Sequence, residues 1–552
     1  MKTAKKLISL LLPVVIIIGF AGAMPASAAA PRLLFEDYVL WSLGNYAPEI
    51  EAFSYGAQFN WDVEKLSSEF ISILNKNPQI FHVEPSCLVT KKVSVNTRTG
   101  EVVSGTFKIY NIKYTINKSE YDAGKKKFDA EVNKALKYAE KGRTDLEKAL
   151  LVHDYLALTN TYDQADLDYA KANNFTAALH PNSHTAYGAM VGKLAVCEGY
   201  AKSYMYIMQS LGIDCATVTG RMNTPHMWNY IKIDGKWYHV DVTSDDPLYR
   251  KSGVTGSFDL LGAVNHKYFL LSDAALTKLG THSGWNMTGY PKASSTVYDN
   301  YFWKTVDTTI IPLGKYWYYI QLDKTSPGYS KANREALKAS STNAEYNANF
   351  FKMYSVLKAY DPSTKKTSSL KKFESTWFAG GTENNSSKDW LVENYSRIAS
   401  YNGKIYFNTS KEILCYDPAS KKTSSVSKPS GLGGTGNKYI FGMTMSGNKI
   451  KYTVKTQYAA NDTFKTKSVA VADSAGITLS KTSATVSAGN AGSLKATLSP
   501  SDSADYIYWV SSDTGVAAVS ADGKVTGIAK GDCTVTAFTE TGVKKTCKIS
   551  VT

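Results

Sequence analysis

Leu7 to Ile18 is an apolar run broken only by Ser9 and Pro13, with three lysines before it in Met1–Lys6 and Ala26-Ser27-Ala28 after it. That order of charge, apolar stretch and small residues predicts an export signal over 1–28, and the run is shorter than the ~20 residues a spanning helix needs. The next region, 31–143, reads as α+β. Val63 to Leu74 is amphipathic at helical spacing and stops at Asn75-Lys76-Asn77-Pro78, Val102 to Ile116 alternates like strands, and Glu120 to Ala139 is a charged helix. Thr144-Asp145-Leu146-Glu147 has the residues of a capping box and opens a helix through about Leu158. Leu146, Ala149, Leu150, His153 and Ala157 share one face of it, so His153 is expected to pack rather than react.

Cys197 to Leu211 reads as a helix closed by Gly212, a common residue just past a helix end. Ala201, Tyr204, Met205 and Met208 form its apolar stripe, and Cys197 lies on that stripe one turn before Ala201. A cysteine there sits at a helix N-terminus, where free N–H groups and the helix dipole stabilise a thiolate and could hold an oxyanion. Two strand-like runs follow, His226 to Ile233 and Lys236 to Thr243, separated by Asp234-Gly235. Asp-Gly in that position predicts a two-residue hairpin with Ile233 opposite Lys236. Counting outward places Trp228 opposite Asp241 and His226 opposite Thr243. His226 and Asp241 become diagonal neighbours on one face, ~7–8 Å apart at the backbone. A thiol, an imidazole and an orienting carboxylate are the parts of a thiol acyl-transfer site, with Cys197 as nucleophile, His226 as base and Asp241 fixing its tautomer. Spacing alone does not bring Cys197 to His226. Glu198, Tyr187, Trp228 and His239 are candidates for the cleft wall or oxyanion contacts, His184 is a weaker one, and the second oxyanion donor is not identified.

From 297 to 471 the chain is rich in strands and in Gly, Asn, Ser and Thr. Lys358 to Leu370 returns 56 residues later as Leu414 to Val426, and Gly403 to Phe407 echoes Asn448 to Tyr452. That spacing suits propeller blades, and three or four fit, so a partial propeller and an irregular β-domain are both open. Residues 474–552 alternate in short strands split by turns such as Ala488-Gly489-Asn490 and Ala521-Asp522-Gly523.

Composition narrows the picture further. A length of 552 residues exceeds one core. The net charge of +15 comes from scattered lysines, without a recognised nucleic-acid module, and is read as a solvated surface with anionic wall polymer as a possible neighbour. Six cysteines in so long a chain do not make a disulfide scaffold, and no CxxC or HExxH pattern or calcium loop points to a metal; no cofactor is expected. Cys87 and Cys215 are expected as buried thiols. Cys533 and Cys547 point inward on the last two strands, as a disulfide or as free thiols. The chain ends Ile549-Ser550-Val551-Thr552 without a hydrophobic tail, so a released or non-covalently surface-held protein is expected.

Two resemblances add to this reading. Val196-Cys197-Glu198-Gly199-Tyr200-Ala201, Leu211-Gly212-Ile213-Asp214, His226-Met227-Trp228-Asn229, and Gly235 to Thr243 with Asp245-Asp246-Pro247 resemble the bacterial transglutaminase-like family over about 144–250. The resemblance implies a papain-like fold and places nucleophile, base and acid on Cys197, His226 and Asp241. Ser244 departs from it, standing where relatives often carry Trp. Tyr508 to Asp513, Val516 to Val519, Gly523 to Gly527 and Gly531 to Ala537 resemble the bacterial Ig-like group 2 domain, which implies a β-sandwich of exported bacterial proteins. The expected order is therefore signal (1–28), α+β region (31–143), transglutaminase-like domain (144–292), repeat-containing β-domain (297–471) and Ig-like module (474–552). The expected function is a secreted thiol acyl-transfer enzyme on peptide or glutamine-type amides, crosslinking or hydrolysing. The alternative is a non-catalytic surface binding or adhesion protein. Expected partners are a protein or peptide substrate and, through the Ig-like module, cell-wall polymer.

Overall fold

The computed structural model describes residues 34–249, 258–259, 261–285, 289–326, 329, 353–380, 391–433, 438–456, 465–471, 476–499, 507–520, 522–539 and 542–552. The expected export signal lies outside these residues. Among them, no helix is long and apolar enough to cross a membrane. The chain divides into two compact units, 1–73 with 87–112, and 74–86 with 113–552.

The first unit carries α1 (Phe35–Gly44), β1 (Ile50–Glu51), most of α2 (Val63–Lys76), β2 (Leu88–Val95) and β3 (Val102–Tyr110), the strands in the antiparallel order β1-β3-β2. Val39, Leu43, Leu66, Phe70, Phe107 and Ile109 are among its fully buried apolar residues. The strand expected to reach Ile116 ends at Tyr110. Cys87, expected buried, is half-buried, with its Sγ 3.7 Å from Ser67 Oγ.

In the second unit α3 (Lys118–Ala139) starts at a reciprocal capping box of Asn117 and Glu120. At α4 (Asp145–Thr159) only half of the expected box forms. Thr144 Oγ1 accepts from the Glu147 N–H at 3.2 Å, but the Glu147 carboxylate takes the Arg143 N–H instead of returning to Thr144. β4 (Thr161–Tyr162), α5 (Gln164–Ala172) and β5 (Leu194–Ala195) lead into α6 (Cys197–Ser210), which Gly212 closes at φ 76°. The expected stripe is the buried face of α6: Ala201, Tyr204, Met205 and Met208 are all 2% exposed or less.

That helix packs on an antiparallel sheet ordered β11-β8-β7-β6. Its strands are β6 (Cys215–Met222), β7 (Thr224–Ile233), β8 (Lys236–Val240) and, after the short pair β9 (Leu248–Tyr249) and β10 (Phe258–Asp259), β11 (Phe269–Leu271). Asp234 and Gly235 both take positive φ, the geometry of a tight hairpin that matches strand twist, and Ile233 pairs with Lys236 as expected. The strand expected to run to Thr243 stops at Val240. Asp241 accepts the Ser244 N–H at 3.1 Å and so caps a helical turn, α7 (Val242–Asp245). Thr243 therefore does not face His226, which pairs with Gly220 of β6. α8 (Asp273–Leu279) completes this part.

The repeat region forms successive antiparallel meanders. The first holds β12 (Ile311–Leu313), β13 (Tyr316–Leu322), β14 (Tyr354–Asp361) and β15 (Lys366–Glu374); after the hairpin β16 (Trp377–Gly380) and β17 (Leu391–Asn394), the second holds β18 (Ile398–Tyr401), β19 (Lys404–Asn408), β20 (Ile413–Asp417) and β21 (Lys422–Ser427). The third holds β22 (Lys438–Ser446), β23 (Lys449–Thr456) and β24 (Lys465–Ala470). The 56-residue repeat maps onto the β14–β15 and β20–β21 hairpins. Their turns match in detail: Asp361 and Asp417 each accept a backbone N–H two residues on, and Lys365 and Lys421 take φ 56° and 57°. One apolar cluster joins the first and second sheets through Ile320, Leu357, Ile405 and Phe407. Another joins the second and third through Tyr406, Ile413, Ile440 and Ile450. The last module packs a four-stranded sheet, with Gly531–Phe538 and Lys544–Val551 at its centre, over a three-stranded one. Cys533 and Cys547 lie in its core as expected, and all six cysteines carry free thiols.

Candidate active site

Cys197 is the first residue of α6 and is half-buried. The first turn fits its surroundings because residue 199 is glycine: a Cβ there would stand 2.6 Å from Ser183 O and 2.8 Å from Ala195 Cβ. One turn into the helix, Ala201 O accepts from Asn229 Nδ2 at 2.8 Å. Asn229 lies three residues beyond His226 on β7, so this buried bond fixes the strand against the cysteine's own helix. The result is the contact that spacing could not supply. His226 has Cys197 among the neighbours that raise its pKa. Its Nε2 lies 2.8 Å from Asp241 Oδ2, which leaves Nδ1 as the ring nitrogen available to a thiol.

The charges around this pair act in one direction. Burial alone would depress the His226 imidazolium, but the Asp241 carboxylate, its hydrogen bond and Cys197 outweigh burial and raise the pKa to about 10. Burial likewise works against ionisation of Asp241, which is 2% exposed, yet His226 and then His282 hold its pKa well below the usual carboxylate range.

Three residues of this site were not assigned a role by sequence reasoning. His282, 4% exposed, places Nε2 2.9 Å from the same Oδ2 of Asp241. Ser244 donates to that oxygen through Oγ and to Oδ1 through its backbone N–H, so the departure from the family pattern adds a hydrogen bond to the carboxylate. Tyr162 on β4 pairs with Ala195, two residues before Cys197, and has its phenol pushed up by burial first and then by the charges of Cys197 and Asp241. Only Ser244 stood out in the sequence. Tyr162 and His282 lie in segments without helical or strand periodicity.

The other candidates are placed as follows. Glu198 bonds His184 Nδ1 at 2.7 Å, and His184 and Lys202 lower its pKa against burial; as an ionised carboxylate it accepts rather than donates. Tyr187 packs on Phe81, ring centroids 4.4 Å apart. Trp228 is 1% exposed and gives its Nε1–H to His239 Nδ1 at 3.0 Å; His239 is also 1% exposed, and its Nε2 meets Asp273 at 2.8 Å. Both are interior groups, and the Trp228 donor is already used. His184 also reaches Asp166 at 2.8 Å, and Cys215 is buried, with its pKa raised by desolvation. His153 is buried as expected, bonded to Asp154 at 2.9 Å and to Asp245 at 3.2 Å.

Two groups, His153-Asp154-His266 and His226-Asp241-His282, place donor atoms within 4.8 Å of one another. In each, one carboxylate oxygen lies between two imidazole nitrogens at 2.8–2.9 Å. Ordinary N–H···O bonds account for that spacing, and the other ring nitrogens of His153, His266 and His282 also have partners in Asp245, Val306 O and Thr281 Oγ1.

Residues 132–242 match the Transglutaminase-like superfamily, and residues 473–550 match the Bacterial Ig-like domain (group 2). No curated protein matches the chain. Among solved structures, a TGase is similar at 15% identity and TM-score 0.21, covering 34% of this chain and 51% of that one, so the chain spans about half its length. A structure from Cytophaga hutchinsonii, described as a proposed cysteine protease, is similar at 15% identity and TM-score 0.17, covering 29% of this chain and 63% of that one. Domains 4 and 5 of the S-layer protein SbsC are similar at 19% identity and TM-score 0.14, covering 25% of this chain and 89% of theirs.

Proposed function

We propose that the chain, whose residues 132–242 match the Transglutaminase-like superfamily, is an exported thiol acyltransferase acting on peptide or glutamine-type amides through Cys197, His226 and Asp241. The observation that carries this reading is the imidazole of His226 bonded to the buried Asp241 carboxylate, with the Cys197 thiol among the groups that raise its pKa. Cys197 Sγ attacks the amide carbon, its proton passing to His226. The C–N bond breaks, His226 returns the proton to the departing amine or ammonia, and a thioester remains. An amine or water, deprotonated by His226, then attacks the thioester and regenerates the thiol. Asp241 keeps the imidazole in the tautomer that points Nδ1 at sulfur. The Cys197 N–H at the start of α6 and the Tyr162 phenol are the two donors proposed for the oxyanion.

The segment 1–28 and the Ig-like module support action outside the cell. The test is mass spectrometry of glutamine-containing peptides with wild type and Cys197→Ala, with and without a primary amine. Amine incorporation makes the enzyme a transglutaminase; cleavage or deamidation alone makes it a hydrolase. If wild type and variant behave alike across substrates, and iodoacetamide labels Cys197 no faster than free cysteine, the fold serves as a surface scaffold instead.

A further inference from the structure

The Asp241 carboxylate is shared. Oδ2 receives His226 from one side at 2.8 Å and His282 from the other at 2.9 Å, with the two rings 5.5 Å apart and edge to face. His282 is held for this contact from three directions. Its Nδ1 meets Thr281 Oγ1 at 3.0 Å, which leaves Nε2–H for the carboxylate. Its ring packs against Trp228 and Tyr268, with centroids 4.9 and 5.3 Å away. Its backbone is clamped by the paired bonds of Ser283 and Arg221, at 2.9 and 3.0 Å, to the end of β6. Gly220 permits that crossing, since a Cβ there would stand 2.7 Å from the Trp228 ring and 2.8 Å from Ser283 O. A ring held only for packing would need neither the oriented tautomer nor a charged acceptor.

We propose that His282 is a positioning residue for the acyl-transfer site, holding Asp241 Oδ2 on His226 so that the imidazole keeps Nδ1 toward Cys197. This rests on the proposed function of the same site. Without the second donor, Oδ2 is free to turn toward Ser244 Oγ, which already bonds it, and His226 loses its orienting partner. The other titratable groups facing the relay are Cys197 from α6, Tyr162 from β4 and His239 from β8 beyond Trp228.

The experiment compares His282→Phe, which keeps an aromatic ring and removes the donor, with His282→Gln, which loses the ring and keeps an N–H donor. The readout is the second-order rate of iodoacetamide labelling at Cys197 in the full chain, with thermal midpoints recorded. Loss of a charge-assisted hydrogen bond predicts a rate lower by about ten- to one-hundredfold in His282→Phe and largely restored in His282→Gln. If His282→Phe does not fold, Thr281→Val, which removes the hydroxyl that fixes the tautomer, must show a smaller loss in the same direction. Wild-type rates in His282→Phe, or in Thr281→Val where the first is unfolded, overturn the proposal while the acyl-transfer reading stands. So does a rate that follows packing, with Phe better than Gln. A wild type no more reactive than free cysteine removes that reading itself.

Discussion

Asp241→Asn keeps the shape of the side chain and removes its charge. In the folded protein His226 is raised from the ordinary 6.5 to about 10, and of the influences that favour its charged form the Asp241 carboxylate is the largest. At about pH 8 a group with a pKa of 10 is about 99% protonated, and one of 6.5 about 3%. Return to the ordinary value therefore lowers the fraction of molecules with an imidazolium beside Cys197 by about thirtyfold, and burial, then opposed by Cys197, pushes the same way. The assay is the rate of iodoacetamide labelling at Cys197 against pH, with Cys197→Ala as the blank and the labelled peptide identified by mass. The expected result is a rate near pH 8 lower by at least about thirtyfold and an alkaline limb moved from near 10 toward or below the ordinary histidine value. A folded Asp241→Asn protein with the wild-type profile would refute the argument that this carboxylate, not burial or the helix terminus, sets the state of the pair.

Two further outcomes follow from the same neighbourhood. Because the folded-state pKa of His226 is raised, its contribution to stability is fully present below about 6.5 and is lost as pH rises through about 10; Asp241, depressed, contributes above its ordinary 3.8 and loses that contribution as pH falls. The gap in urea midpoint between wild type and His226→Ala should thus be widest near pH 5–6 and shrink toward pH 10, and a gap independent of pH contradicts the assignment. Gly199→Ala should cost about 1–3 kcal/mol by overpacking, read as a lower thermal midpoint, because its Cβ would meet backbone oxygen of Ser183 at 2.6 Å; an unchanged midpoint means that the first turn of α6 is looser than described.

Which parts were legible in the sequence follows from the range of the forces involved. The α6 stripe and the Asp234-Gly235 turn are local, and both formed as expected, because periodicity and positive-φ chemistry act within a few residues. The same locality explains the error at Thr243. Alternation extended the strand, whereas Asp241, a strong N-cap residue followed by Ser244, competes for the backbone and starts a turn. The His226–Asp241 contact survived the error because it needs only the end of β8 near His226. His282, 41 residues from Asp241, is brought in by the crossing of 281–283 over β6, which no period announces. Tyr162 is brought opposite Ala195, two residues before Cys197, by a two-residue parallel pairing that is also silent in the pattern.

The repeat-bearing sheets bear on the transglutaminase-like region in a way that fixes where the chain can be cut. Three buried acceptor or donor groups of that region find partners beyond residue 296. Glu147, 2% exposed, takes Trp317 Nε1–H at 2.8 Å; Asp154, wholly buried, takes the Ile310 N–H at 3.0 Å; and His266 Nδ1 meets Val306 O at 3.2 Å. A chain ending at 296 would leave these groups short of a partner or exposed to water through a torn core. At about 1.5–3 kcal/mol for each of the two bonds to a carboxylate and about 0.5–1.5 kcal/mol for the His266 bond, the loss reaches roughly 4–8 kcal/mol, comparable with the whole stability of an ordinary domain. Residues 34–296 expressed alone should therefore be unfolded or rapidly proteolysed, whereas 34–471, which keeps all three partners, should unfold cooperatively in urea and retain iodoacetamide reactivity at Cys197. Equal urea midpoints for the two truncated chains would mean that the first meander is an appendage, and that the transglutaminase-like region satisfies Glu147, Asp154 and His266 without it.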